Sequence, residues 1–224
     1  MRRGLNGGIW QMKKILWCGG SHLGHSKKVI ETLFSDHNNE YYITAAPMNK
    51  NWSKDGGRYF VEGSIIGDNA AEPERRLDLL DFDHIVFVGH YIQPQKYTFR
   101  SQPLSSALKK AILRRDDLFI RLPDGNYNEP ITLFPEIAKG KCVLLCDPFA
   151  LNNALPIDFM EEFKIELQNF CLKKGIDLMF QPQHTLNHNL STLKSYSRSE
   201  GDQIHCNEDF WLLYLQSLKE RLIG

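Results

Sequence analysis

The sequence predicts an α/β fold: a mainly parallel sheet of about five strands with helices on both faces. Short apolar runs of strand length recur along the chain, segments with a helical apolar stripe alternate with them, and several of the runs stop at glycine or proline turns. A strand covered on both faces reads as continuously apolar rather than alternating. Lys14–Cys18, Asp83–Val88 and Lys141–Cys146 have that form, and Lys14–Cys18 is expected near the middle of the sheet.

In chain order, Lys14–Cys18 is followed by a helix over His25–Phe34, with Val29, Ile30 and Leu33 on one face. Tyr41–Ala45 reads as the second strand, and the Asn-, Lys- and Gly-rich stretch Pro47–Gly57 as a loop. Arg58–Ile66 reads as extended, up to Gly67-Asp68-Asn69, and Glu72–Leu80 as a short helix. Asp83–Val88 is the next buried strand and ends at Gly89-His90-Tyr91. Ser105–Arg115 carries a helical stripe of Leu108, Ile112 and Leu113, and Gly125–Pro130 is a turn-rich loop. Lys141–Cys146 is stopped by Asp147-Pro148. Pro156–Lys174 is the longest helix, with proline in its first turn and Gly175 closing it. Ile176–Phe180 is the last strand, and Asn207–Ile223 the closing helix.

With 224 residues the chain is long enough for one core without staples. Met12-Lys13-Lys14 stands directly before the first strand. Residues 1–12 are therefore expected to be a disordered or non-native start, and 13–224 a single domain. Lys plus Arg and Asp plus Glu number 27 each, so charge argues for neither nucleic acid nor membrane as partner. No apolar run approaches the ~20 residues of a membrane span, and no leader pattern is evident, so the cytoplasm is the expected compartment. Five cysteines, three of them in apolar strand-like runs, fit reduced core thiols better than a disulfide framework. Cys142 and Cys146 fall on one face of a strand, which favours packing over a zinc half-site.

Ligands of parallel α/β sheets bind beyond the carboxyl ends of the strands. Ser21, Gly89-His90, Asp147 and Gln181-Pro182-Gln183-His184 all follow strands at that end. Gly19-Gly20-Ser21 allows a sharp turn that leaves Ser21 opening a helix, where free N–H groups and the positive dipole end suit an oxyanion. Asp202-Gln203-Ile204-His205, ahead of the last helix, puts a carboxylate within reach of an imidazole. A serine needs a base, and the base an acid to orient it; Ser21, His205 and Asp202 supply all three. Taken one at a time, Ser21 also reads as a plain N-cap and His205 as an incidental loop histidine.

On Gly19-Gly20-Ser21 and Asp202-x-x-His205-x-Asn207, over residues 13–224, the chain resembles the SGNH (GDSL-like) hydrolase superfamily. The resemblance implies a flavodoxin-like three-layer α/β/α sandwich and a serine esterase with Ser21 as nucleophile, His205 as base and Asp202 as acid. It implies neither metal nor organic cofactor, and a small-molecule or glycan ester as substrate, with a small acyl group such as acetyl removed. An O-acyltransferase using the same triad and a non-catalytic glycan- or metabolite-binding relative are the alternatives. The chain departs from the family at the oxyanion hole. Gly67 matches the second-block glycine, with Gly63 as alternative, but Tyr91 stands where the third-block asparagine belongs, and His90 or Asn69 are the replacement donors. His90, Asn69 and His184 are the expected substrate contacts, and Trp52 is a candidate for stacking on a sugar. Trp17, Tyr91 and Trp211 read mostly as core.

A second pattern overlaps the serine. His22-Leu23-Gly24-His25 resembles the His-x-Gly-His of nucleotidylyltransferases, but the spacing from Gly19-Gly20 is too short and a late phosphate motif is poorly matched by Ser195-Tyr196-Ser197-Arg198. That reading places His22 and His25 on a phosphate-sized cleft, with His205 unrelated to Ser21.

Overall fold

A computed structural model describes residues 12–43, 52–63, 66–67, 70–71, 75–90, 92, 105, 107, 111, 114, 118–120, 129–149, 151 and 155–223. Its principal sheet has five parallel strands: β1 (Lys14–Gly19), β2 (Asn38–Ile43), β8 (His84–Gly89), β9 (Cys142–Cys146) and β10 (Asp177–Met179). They lie in the order β10-β9-β8-β1-β2. The expected parallel α/β sheet is therefore present, but its middle strand is β8. β1 lies between β8 and the edge strand β2, because the chain winds from β1 out to β2 and then returns past β1 to β8. That reversal makes the carboxyl ends of β1 and β8 a topological switch point, where such folds bind ligands.

Alternation along the strands divides the core into two layers. Ile15, Trp17, Val86, Val88, Val143 and Leu145 pack against α1 (Ser21–Leu33) and α4 (Glu208–Ile223), which contribute Leu23, Ile30, Phe210, Trp211, Tyr214 and Leu215. Leu16, Cys18, Ile85, Phe87, Leu144 and Cys146 face the other way, onto α2 (Glu129–Ile137) and α3 (Ile157–Lys174), which contribute Ile131, Phe134, Phe159, Met160, Phe163 and Leu167. The result is a three-layer α/β/α sandwich. Each large side chain fully buried in this way contributes roughly 1.5–3 kcal/mol relative to exposure.

Local chemistry sets the helix ends. α1 begins at Ser21, four residues earlier than the apolar stripe alone suggested, directly after the Gly19-Gly20 turn. Its last turn has no basic residue, and Lys219 of α4 supplies the missing donor to the Leu33 carbonyl (2.6 Å). α3 closes as expected at Gly175, in the left-handed region (φ 68°) with its N–H on the Cys171 and Leu172 carbonyls. Asn207 caps α4, accepting from the Phe210 N–H (3.1 Å). Tyr214 of α4 donates to the Met179 carbonyl (2.6 Å), fixing the helix to the end of β10.

Three expectations between the main elements are corrected. Part of the loop read over Pro47–Gly57 is a strand, β3 (Trp52–Asp55), which forms a hairpin with β4 (Arg58–Gly63). Its connector is Gly56-Gly57, both at positive φ, the two-residue turn whose twist suits a hairpin. The helix read over Glu72–Leu80 is replaced by β7 (Arg75–Asp78), paired with β4, and a single 3-10 turn over Leu79–Asp81. A tertiary ladder here outweighs local propensity, and Asp78 caps the turn by accepting from the Leu80 N–H (2.9 Å). α2 starts inside the expected Gly125–Pro130 loop. Pro130 and Pro135 hide it from a pattern reading, while buried Ile131, Phe134 and Ala138 hold it on the sheet. A two-residue ladder, β5 (Ile66–Gly67) with β6 (Ala70–Ala71), completes the described strands. The Ser105–Arg115 helix falls almost wholly outside the described residues.

All five cysteines are buried free thiols. Among the described residues no group of three or more His, Cys, Asp or Glu is placed to hold a metal ion, and no helix is long and apolar enough to cross a membrane.

Candidate active site

Ser21 is exposed at the first position of α1, just beyond the carboxyl end of β1. Gly19 makes the approach possible: a Cβ there would lie 2.7 Å from the Val88 carbonyl oxygen and 3.0 Å from Leu23 Cβ. Gly20, the N-cap, brings no side chain to bond the free N–H groups of the first turn. The positive end of the helix dipole thus lies beside Ser21 Oγ.

The loop before α4 brings in the other two groups. An antiparallel bridge joins Ser197 to Cys206, and the Arg198 N–H donates to the His205 carbonyl (3.0 Å). Ser197 Oγ donates to the Asp202 carbonyl (2.8 Å), and the Asp202 N–H to the Ser199 carbonyl (3.1 Å). The loop is tied across its width, which fixes Asp202 against His205. Asp202 Oδ1 accepts from the backbone N–H groups of Ile204 (3.0 Å) and His205 (2.9 Å), leaving Oδ2 to face His205 Nδ1 at 3.0 Å. His205 Nε2 lies 3.2 Å from Ser21 Oγ. With Nδ1–H donating to the carboxylate, Nε2 holds a lone pair toward the serine hydroxyl, the arrangement that removes a proton from a nucleophile. Partial burial pushes the Asp202 carboxyl up, but the two backbone N–H groups and the His205 ring outweigh it and hold it down at about 2.

Beneath this row lies a buried pair that the sequence pattern did not join. Asp147, at the end of β9, is 1% exposed, and its Oδ1 is 3.4 Å from His22 Nε2. The His22 ring lies 5.4 Å from that of His205 and 6.0 Å from that of Trp211. His22 thus turns inward to a carboxylate rather than onto a phosphate-sized cleft, and His205 is in contact with Ser21; both placements are opposite to the nucleotidylyltransferase reading. Space for the pair comes from Gly89, at φ 73°: a Cβ there would lie 1.8 Å from Asp147 Oδ1. Gly89→Ala should destabilise the fold by about 2–4 kcal/mol, a fall in Tm on the order of 10 °C in a thermal melt. A variant melting within about 2 °C of the parent would show that Asp147 can move aside.

The remaining expected site residues divide between described and undescribed positions. His90, at φ 50°, is buried against the Phe87 ring (5.3 Å between centroids), on the α2–α3 side of the sheet. His184 is exposed in the single turn after β10. Its neighbour Gln181 is structural: it accepts from the Phe149 N–H (2.7 Å) and donates to Thr185 Oγ1 (2.9 Å) and Thr192 Oγ1 (3.1 Å), joining the segments that follow β9 and β10. Gly67 pairs with Ala70 across the β5–β6 ladder, and Gly63 pairs with Arg75. Asn69 and Tyr91 lie outside the described residues, and for Trp52 only the backbone pairing with Val61 is described. Trp17 and Trp211 are core, at 0% and 1% exposure.

Sequence reading missed one neighbour of His205. Arg198 Nη1 donates to His25 Nε2 (3.2 Å), and the His25 ring meets the His205 ring edge-on at 4.6 Å. Burial lowers the His25 pKa, the charges of Arg198 and His205 lower it further, and Asp202 opposes them. Only the register of the Ser197–Cys206 loop brings Arg198 there, and no local motif announces that register. The nearby thiols are poor rival nucleophiles: burial pushes Cys206 up to about 12 and Cys18 well above its usual range.

No protein-family model matches the chain, and no curated protein matches it. Among solved structures, a crystal structure from Bacteroides fragilis named "putative acylhydrolase" aligns over 96% of this chain and 92% of its own, with a TM-score of 0.42 and 11% sequence identity.

Proposed function

We propose that the chain is a serine-dependent carboxylic ester hydrolase of SGNH type, removing a small acyl group such as acetyl from a carbohydrate or similar polar substrate. The observation that carries this reading is the continuous contact from Ser21 Oγ through both ring nitrogens of His205 to Asp202 Oδ2. Ser21 Oγ attacks the ester carbonyl carbon while His205 Nε2 takes its proton. The resulting tetrahedral oxyanion is held by the Ser21 N–H at the helix start, with the Gly67 N–H and Tyr91 hydroxyl assigned as further donors from the family pattern. Each such donor stabilises the transition state by about 3–4 kcal/mol. Asp202 keeps the imidazolium oriented and charge-balanced. Collapse breaks the bond to the alcohol oxygen, which leaves with the proton from Nε2, and Ser21 retains the acyl group. Water then gives a proton to Nε2, attacks the acyl carbon and releases the free acid, restoring Ser21. These steps use only groups of the chain and water. Free substrate in an aqueous compartment, the cytoplasm, completes the proposal, with neither nucleic acid nor membrane as partner.

Short p-nitrophenyl esters and a fluorophosphonate probe test it. Wild-type protein should turn over p-nitrophenyl acetate and carry the probe on the peptide containing Ser21, located by mass spectrometry. Free acid as the only acyl product, even at high sugar concentration, assigns hydrolysis over transfer. Labelling elsewhere, or no turnover and no labelling, defeats the reading.

A further inference from the structure

We infer that Arg198 binds an anionic group of the substrate, a carboxylate or a phosphate, beside the ester that Ser21 attacks. This deepens the hydrolase reading of Ser21 and rests on it.

The argument begins with how arginines are used in this molecule. Arg58, Arg76, Arg114 and Arg221 each pair with a carboxylate: Asp78 and Asp81, Asp55, Glu162, and Asp177. Arg198 does not. Among the described residues no carboxylate lies within 4.0 Å of its guanidinium, and its side-chain contact is the imidazole of His25. Glu200, two residues on, is exposed and makes no ion pair with it, and Asp202 is already occupied by two backbone N–H groups and the ring of His205. Because an arginine only donates, His25 Nε2 must accept, which makes His25 the neutral Nδ1–H tautomer. The pair is a cation on a neutral support, not an ion pair.

Its location gives that charge a use. His25 lies one helical turn after Ser21 on α1, and its ring meets the ring of the base, His205. At its other end, the Arg198 backbone donates to the His205 carbonyl, so the residue is anchored directly across the loop from the base. Arg198 is exposed, and one of its five donors is engaged with His25. The others form a planar fork suited to two oxygens of a carboxylate or phosphate. The α1 amino end contributes positive potential and has no acidic residue in its first turn. A neutral ester leaves this fork unused; an ester with an anion on its acyl or alcohol half fills it.

The test uses the full chain and matched esters. On the acyl side, p-nitrophenyl hemisuccinate is compared with p-nitrophenyl butyrate; on the alcohol side, 3-carboxyphenyl acetate is compared with 3-carbamoylphenyl acetate. In at least one pair wild-type kcat/KM should favour the anionic ester by about tenfold or more. Arg198→Gln should reduce that charged-to-neutral ratio about tenfold, whatever the absolute rates, and Arg198→Lys should restore part of it. Independently of turnover, inorganic phosphate should shift the ring resonances of His25 and His205, with an affinity at least about tenfold weaker in Arg198→Gln. Equal ratios in wild type and Arg198→Gln for both pairs, together with an unchanged phosphate titration, overturn the anion site and leave the hydrolase standing. If wild type turns over no ester, the hydrolase reading fails, and the phosphate titration alone decides the role of Arg198.

Discussion

Ser21→Ala should lower ester turnover by about 10,000-fold or more while leaving the melting temperature within about 2 °C of wild type. The two halves of this result have separate causes. In the proposed reaction the hydroxyl oxygen bonds to the acyl carbon, and without it His205 has no proton to take. Structurally, Ser21 is exposed and its side-chain bond is to His205, so alanine leaves no cavity and no orphaned core group. Residues that act as one unit are not additive. His205→Ala should therefore cost about as much as Ser21→Ala, and the double variant little more than either. Steady-state kinetics of the four proteins forms the cycle. A Ser21→Ala protein within about tenfold of wild type would place the nucleophile elsewhere; the buried thiols of Cys18 and Cys206 are not ready substitutes.

Asp202→Asn should lower kcat by about 1,000- to 10,000-fold, more than the loss of one hydrogen bond explains. The asparagine oxygen can still accept from the N–H groups of Ile204 and His205, so the loop keeps its turn. Its amide nitrogen then faces His205 Nδ1 and donates to it. That forces the ring proton onto Nε2, where it points at Ser21 Oγ instead of receiving from it. Stability carries a second signature. The Asp202 carboxyl is depressed in the folded chain, to about 2, from about 4 in an unfolded one. It therefore contributes stability above about pH 4, and that contribution is lost as pH falls from about 4 through about 2. Thermal melts should show wild type losing its advantage over Asp202→Asn across that window. A constant difference down to pH 2 would mean that the carboxylate is not held by these bonds.

Much of the fold was legible because its cause is local. Lys14–Cys18, Asp83–Val88 and Lys141–Cys146 are continuously apolar because helices cover both of their faces, and each is a strand of the parallel sheet. Gly175 announced the end of α3 because few other residues hold a left-handed backbone without strain. Glu72–Leu80 was misread for the opposite reason: β7 exists by virtue of its ladder to β4, and no residue within 75–78 encodes that partner. α2 was hidden by prolines whose cost is offset by burial of Ile131 and Phe134, a gain visible only once the sheet is beside them.

The same division runs through the site. Residue types and order along the chain were enough to nominate Ser21, Asp202 and His205, because a glycine turn before a helix and an Asp-x-x-His before another are short-range patterns. Asp202 and His205 lie within one turn, so their contact is nearly a local property. The 3.2 Å approach of Ser21 to His205 is different in kind. It depends on α1 and α4 packing side by side on one face of the sheet, through Leu23, Ile30, Trp211 and Leu215. The pairing of His22 with Asp147 and the seat of Arg198 on His25 likewise join residues far apart in sequence. Spacing along a chain constrains only neighbours within a turn or a strand, whereas packing of apolar layers decides which distant turns meet, and in this protein that packing brings the loop that carries Arg198 and His205 against the start of α1.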